Sequence, residues 1–327
     1  MESYAYLVID TSSYCTLWRL LFMQGTLSKY MKVGLIQFMA YPVSGGEGPI
    51  VESFKKIAMD PFFEAVEVTR MKDPKVRQQI RAMKETAKMT LTYGAQPRLL
   101  SAKMNINDLD ETKRLAALDN LKQGIDEAYE LGAEGFAFLS GTYKEETKEA
   151  SYDALVRSTK ELCSYARQKG SMPVVLEVFD YDIDKKSLIG PAPLAARYAE
   201  EVRNDFPDFG LMVDLSHIPL LHETVEESLL PVKDYIVHAH MGNCVIKDPS
   251  LPAYGDAHPR FGFPGGENDV DELAHYLEVL FSIGFFSKET RPVVSFEVKP
   301  FGDEDPDLVV ANAKRTLIQA WDKVTNK

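Results

Sequence analysis

From Met31 to the C-terminus, short runs rich in Val, Leu, Ile and Phe alternate with longer amphipathic segments rich in Lys and Glu. Such alternation forces parallel strands joined by helical crossovers, because parallel neighbours cannot be linked by a tight turn. The candidate strands are Val33–Phe38, Ala65–Val68, Met89–Tyr93, Gly135–Leu139, Val174–Phe179, Gly210–Asp214, Ile236–Met241 and Val293–Val298. An open doubly wound sheet would alternate in the same way, but eight units in roughly 290 residues match the size of a closed barrel. The expected fold class is therefore α/β, a single (β/α)8 barrel over residues 31–327.

The crossovers read as helices. Asp110–Leu131 spaces Leu115, Leu118, Leu121, Ile125 and Tyr129 at a helical period and ends at Gly132, a helix-stop position. Tyr152–Lys169 turns Leu155, Leu162 and Tyr165 inward and stops at Gly170, while Pro191–Val202, Val270–Gly284 and Asp307–Val324 supply further outer helices. The least regular piece, Gly242–Asp269, is rich in Gly, Pro and Asp and far longer than an ordinary βα connection. Following the seventh strand, it belongs to the carboxyl face, where barrels place their chemistry.

Composition narrows the partners. A formal net charge of -12 repels polyanions, so nucleic acid is not an expected partner. Cys15, Cys163 and Cys244 lie far apart without Cys-x-x-Cys spacing, which argues against a disulfide framework and a thiolate zinc site and fits a reducing cytoplasm. Residues 1–30 stand apart as an N-terminal extension. Their apolar run Leu17–Met23 is interrupted by Arg19, too short to span a bilayer and not preceded by a basic segment, so neither a signal peptide nor a membrane anchor is expected. Met31 reads as a natural start running straight into the first strand.

Four of the later strands carry an ionisable residue where a buried strand would want another valine. Glu177 follows Pro173-Val-Val-Leu, Asp214 follows Gly210-Leu-Met-Val, His238 and His240 interrupt Ile236–Met241, and Glu297 follows Val293-Val-Ser-Phe. Buried carboxylates and imidazoles are costly unless paired, and one divalent cation can pair them all. The expected metal ligands are Glu177, Asp214, His240 and Glu297. His240 is preferred over His238, which has the same facing, because it lies nearer the strand's carboxyl end. An oxygen-rich set with one imidazole favours Mn²⁺, with Mg²⁺, Co²⁺ or Zn²⁺ as alternatives. Singly, each residue could instead cap a helix or pair with a buried cation; four on successive strands favour a shared metal.

This constellation, together with Phe63-Glu-Ala-Val-Glu-Val68, Val213-Asp-Leu-Ser-His217, Val237-His-Ala-His-Met-Gly-Asn243 and Phe263-Pro-Gly-Gly-Glu-Asn-Asp-Val270, resembles the xylose isomerase-like TIM barrels, the family of sugar phosphate isomerases and epimerases and of tagatose 3-epimerase. The resemblance implies that Glu177, Asp214, His240 and Glu297 bind the metal, that Glu177 and Glu297 also act as acid and base, and that His217 touches a substrate oxygen. The activity it implies is α-proton abstraction from a keto sugar through a metal-stabilised enediolate.

In the long loop, His258 and Arg260 could reach substrate, and Phe261 and Phe263 could stack on a ring. His238 and, just past Glu177, Asp180 are further substrate-binding candidates, with Tyr181 and Asp182 beside Asp180. The Gly-Asn-Cys, His-Pro-x-Phe-Gly and Gly-Glu-Asn-Asp-Val phrases also resemble the large (alpha) subunit of C-glycoside deglycosidases. That alternative implies cleavage of 3-oxo-glycosides with a small β-rich partner subunit. The expected partner is a small-molecule sugar or glycoside, and an oligomer is expected. An apurinic endonuclease would need more histidines and a basic face, and a non-catalytic sugar-binding subunit would need no metal.

Overall fold

Closing a sheet on itself removes both edges, and here the closure brings every strand's carboxyl end to one rim. The structure is a computed structural model describing residues 27–41 and 46–325. Its strands are β1 (Lys32–Ile36), β2 (Ala65–Val68), β3 (Thr90–Gly94), β4 (Phe136–Leu139), β5 (Val174–Glu177), β6 (Gly210–Asp214), β7 (Ile236–Gly242) and β8 (Val293–Glu297). They pair in parallel in sequence order, and β8 returns to β1. The major helices are α1 (Ile50–Met59), α2 (Pro74–Ala87), α3 (Glu111–Leu131), α4 (Lys148–Lys169), α5 (Ala192–Arg203), α6 (Val225–Leu229), α7 (Val270–Ser282) and α8 (Pro306–Thr325).

All eight expected strands are present. The expected runs overshoot at β1, β5 and β8, because the chain turns out of the ladder as soon as the rim is reached; after β1 it enters a short helix at Gln37. Helix ends follow local chemistry. Asp110 caps α3 by accepting from the N–H groups of Thr112 and Lys113, and Gly132 ends it at φ 72°, a conformation that favours glycine. One helix face differs from expectation. Leu115 is 45% exposed, because the inward position is taken by its neighbour Arg114, whose guanidinium reaches Ser158 Oγ of α4 at 2.7 Å.

Most of the core lies between the strands and the helices, with Trp321, Tyr198, Phe136 and Phe296 fully buried. Inside the barrel β4, β5 and β6 contribute a small separate apolar cluster, Ala137, Val175 and Met212. Strand residues two apart share a face, so Glu177 and Asp214 are the next inward positions above Val175 and Met212. Of the expected extension, residues 27–30 pack onto the barrel, with the Tyr30 ring 5.2 Å from Phe281 and 5.8 Å from Trp321. Leu17–Met23 and Cys15 lie outside the described residues. Cys163 and Cys244 are buried free thiols. Among the described residues, no helix is long and apolar enough to cross a membrane.

Candidate metal centre

β5, β6 and β8 end on Glu177, Asp214 and Glu297, and β7 carries His240 two residues before its end. The structure brings these four together: one donor atom from each lies within 4.8 Å of all the others, and all four residues are buried. His240 Nδ1 stands 3.0 Å from Glu297 Oε2, 3.2 Å from Glu177 Oε1 and 3.8 Å from Asp214 Oδ2. Its Nε2 points the other way, 3.1 Å from Glu67 Oε1 on β2, and the same oxygen lies 2.7 Å from His238 Nε2. With Nε2–H donated to Glu67, Nδ1 is the ring atom left facing three carboxylates, and a cation bound there would take the place of its proton.

The donor set fits a divalent cation. Asp214 Oδ1 accepts the Ser216 N–H at 2.7 Å, but its buried Oδ2 has no hydrogen-bond partner among the described residues and faces the other ligands. An orphaned buried carboxylate oxygen costs the structure unless a cation satisfies it. Burial pushes the His240 pKa down, yet Glu67, Glu177 and Glu297 outweigh it and hold that pKa well above the ordinary histidine range. Burial, opposed by His217 and reinforced by Glu297, raises Asp214. Protons thus offset the mutual repulsion of the carboxylates, a role that a cation can take over by displacing them.

A second charged group flanks the first. Asp256, from the long β7–α7 connection, is buried with Oδ1 at 2.8 Å from His258 Nε2 and 3.1 Å from His217 Nε2, and Oδ2 at 2.8 Å from Lys185 Nζ. Although burial pulls both histidines down, Asp256 outweighs it, lifting His217 to about 10 and His258 to about 9. Asp256 itself is held well below the usual carboxylate range, since His258 and His217 overcome its burial. His217 Nδ1–H donates to the Val178 carbonyl at 2.7 Å, fixing the ring. His258 sits at φ 53°, a strained conformation for a side-chain-bearing residue of the kind found where the surroundings fix a functional group.

Glu177, His240, Glu297 and His258 line a solvent-open cavity of about 160 Å³ on the carboxyl face of the barrel, with Glu67, Gln96, Lys185 and Asp256. His217 lies behind Asp256, 1% exposed. Three sequence-derived substrate contacts fall elsewhere. His238 is one layer deeper, bonded to Glu67. Asp180 is fully buried and spends its carboxylate on the backbone N–H groups of Ile183, Asp184 and Lys185, so it shapes the loop. Arg260 is committed to Glu304 at 2.8 Å and to the carbonyls of Phe261 and Gly262. Phe261 is fully buried, Phe263 packs on Phe301, and Asp182 pairs with exposed His222, so none of them lines the cavity.

Four polar lining residues, Glu67, Gln96, Lys185 and Asp256, were not singled out from the sequence. Gln96 Nε2 donates to Glu177 Oε2 at 2.5 Å and comes from a short helix after β3, with no strand-end signature. Lys185 and Asp256 sit in irregular loops. Glu67 carried a usable signal: it is an acid inside the buried strand Ala-Val-Glu-Val, facing the same lumen.

The family described as xylose isomerase-like TIM barrel matches residues 59–306. No curated protein matches the sequence. Among solved structures, D-psicose 3-epimerase from Clostridium cellulolyticum H10 superimposes with a TM-score of 0.63 at 17% identity, covering 90% of this chain and 99% of that one. An L-ribulose 3-epimerase gives 0.69 at 14% identity, covering 90% and 96%. A 3-keto-D-glucoside 4-epimerase from E. coli gives 0.61 at 16% identity, covering 89% and 98%. At these identities the likeness establishes a shared fold.

Proposed function

The chain belongs to the xylose isomerase-like TIM barrel family, and from that premise we propose that it is a divalent-metal-dependent enzyme acting on keto sugars by α-proton transfer, as an isomerase or epimerase. The observation that carries this reading is the convergence of Glu177, Asp214, His240 and Glu297 on one point at the floor of an open cavity. The sugar epimerases that share the fold support the substrate class. Mn²⁺ is the proposed ion, from the oxygen-rich donors with a single imidazole. Bound there, the cation supplies positive charge that polarises a carbonyl and acidifies the adjacent C–H.

The chain's own groups supply the proton chemistry. One oxygen of Glu177 is pinned by Gln96, and Glu297 Oε1 lies 3.4 Å from His258 Nε2, so both carboxylates are oriented before substrate arrives. One glutamate takes the proton from the carbon next to the carbonyl, and the C–H electron pair moves into a C–C double bond as the carbonyl oxygen gains charge. His258, which lines the cavity, is proposed to steady a substrate oxygen through a donor N–H in its raised-pKa form, while His217, held between the Val178 carbonyl and Asp256, positions Asp256 from behind. Return of a proton from the other glutamate to the opposite face of the same carbon gives the epimer, while protonation of the former carbonyl carbon, with the neighbouring hydroxyl proton passing to the former carbonyl oxygen, gives the isomer.

The test is incubation of the Mn²⁺-loaded protein with a panel of ketoses in D₂O. Solvent deuterium at the carbon beside the carbonyl, lost on chelation and restored by Mn²⁺, is the expected result. No exchange with any ketose would sink the reading, and release of an aglycone from a 3-oxo-glycoside without proton return would replace it by the lyase alternative.

A further inference from the structure

The two glutamates of the centre are not equivalent. Each turns one oxygen to His240 Nδ1, Glu177 Oε1 at 3.2 Å and Glu297 Oε2 at 3.0 Å, and these are the oxygens that would hold the cation. Their remaining oxygens differ. Glu177 Oε2 accepts the Gln96 amide N–H at 2.5 Å, and the Glu177 side chain is 2% exposed. Glu297 Oε1 stands 3.4 Å from His258 Nε2, too far to be capped as closely, and the Glu297 side chain is 12% exposed.

The Gln96 contact is built into the fold. Gln96 opens the short helix Gln96–Leu100, which Arg98 anchors through Tyr93 Oη at 2.8 Å and Glu127 Oε2 at 2.6 Å, all three residues being buried. The amide lies against Gly94, where a Cβ would come within 3.0 Å of Gln96 Oε1. That Oε1 is buried and has no hydrogen-bond partner among the described residues. An orphaned buried carbonyl is destabilising, so the charge-assisted bond to Glu177, and not the amide's other surroundings, sets its orientation.

We propose that Gln96 is a positioning residue that confines Glu177 to holding the cation, so that Glu297 is the one base of the site and the reaction is ketose–aldose isomerisation. The inference rests on the keto-sugar reading above and decides between its two outcomes. Epimerisation needs a proton acceptor on one face of the sugar and a donor on the other. A lone base works on one face. Glu297 Oε1 takes the proton from the carbon beside the carbonyl, the C–H electron pair becomes a C–C double bond, and the neighbouring hydroxyl proton passes to the former carbonyl oxygen. The same oxygen of Glu297 then returns its proton to the former carbonyl carbon on the same face. The deprotonated carbon, with the oxygen that gave up its hydroxyl proton, becomes the new carbonyl.

The test incubates the Mn²⁺-loaded protein in D₂O with D-fructose, D-psicose, D-tagatose and D-sorbose and identifies the products and their label. The parent chain is expected to form one aldose of the pair that differs at carbon 2, with deuterium at that carbon and none at carbon 3 of any ketose. Inversion with deuterium at carbon 3, or both aldoses from the parent, would overturn the one-base assignment and leave the keto-sugar reading standing. No deuterium in any sugar would sink both. Gln96→Met keeps the bulk and removes the donor, which frees Glu177 Oε2 to deliver a proton from the opposite face, so the second aldose is expected to appear. Its Mn²⁺ affinity, read from the electron paramagnetic resonance signal of the free ion, should fall about tenfold. A folded variant that keeps the parent's single aldose would overturn the role of Gln96 whatever its affinity, since a packing defect alone would also weaken the centre. The labelling pattern of the parent decides the one-base assignment even where the variant does not fold.

Discussion

Glu67 is the sharpest place to perturb the centre without touching a ligand. Its Oε1 accepts from His240 Nε2 at 3.1 Å and from His238 Nε2 at 2.7 Å, so it fixes the His240 tautomer and turns Nδ1 toward Glu177, Asp214 and Glu297. Losing such an orienting partner costs about 10–100-fold in metal affinity, or about 1.4–2.7 kcal/mol. Glu67→Gln can keep an oxygen in place but loses the charge that makes the imidazole a better donor, so about tenfold is expected. Glu67→Ala also frees the ring and leaves two buried N–H groups without an acceptor, so the loss should approach a hundredfold. Mn²⁺ titration followed by the electron paramagnetic resonance signal of the free ion measures both constants, with circular dichroism confirming the fold. A folded Glu67→Ala protein that binds Mn²⁺ within twofold of the parent would refute the idea that Glu67 sets the ligand.

Asp256 is the common counter-charge of Lys185, His217 and His258, and removing one member of a buried charge network strands the others. Asp256→Ala is therefore expected to cost about 3–5 kcal/mol in chemical denaturation, and a loss below about 1 kcal/mol would show that the network carries little stability. Because the ligands must shed protons to accept a cation, Mn²⁺ binding should release about one proton per ion, seen as a buffer-dependent calorimetric enthalpy and an affinity that falls as pH falls. On α3, Leu115→Lys should change stability by less than about 0.5 kcal/mol and Leu118→Ala by about 2–5 kcal/mol, since Leu115 is 45% exposed and Leu118 is 1% exposed. Equal effects in denaturant titrations would contradict the observed face.

The barrel could be read in advance because each strand is a short apolar run bounded by amphipathic helix, a pattern that survives errors at the ends. Glu177, Asp214, His240 and Glu297 stood out for the same reason: an ionisable side chain inside an apolar strand is conspicuous, and strand periodicity sends residues at equivalent positions into one lumen. Loop residues carried no such periodicity. Asp180 looked like a site acid by its nearness to Glu177, yet a short polar side chain in a turn readily folds back on its own backbone, as its bonds to Ile183, Asp184 and Lys185 show. Lys185, five residues further, reaches the cavity instead. In the long connection His258 reaches the cavity while Arg260, two residues on, turns to Glu304. Leu115 and Arg114 exchanged expected places because a long charged side chain that satisfies its guanidinium between two helices can occupy an inward position.

The most direct measurement is metal content and Mn²⁺ affinity of protein purified without added ions, compared across Glu177→Gln, Asp214→Asn, His240→Gln and Glu297→Gln. The expected result is about one divalent ion per chain in the parent and a weakening in each folded variant that exceeds the one caused by Glu67→Ala. A folded variant of any of the four that keeps the parent's affinity, or a parent chain that takes up no divalent ion, would contradict a single centre shared by β5, β6, β7 and β8.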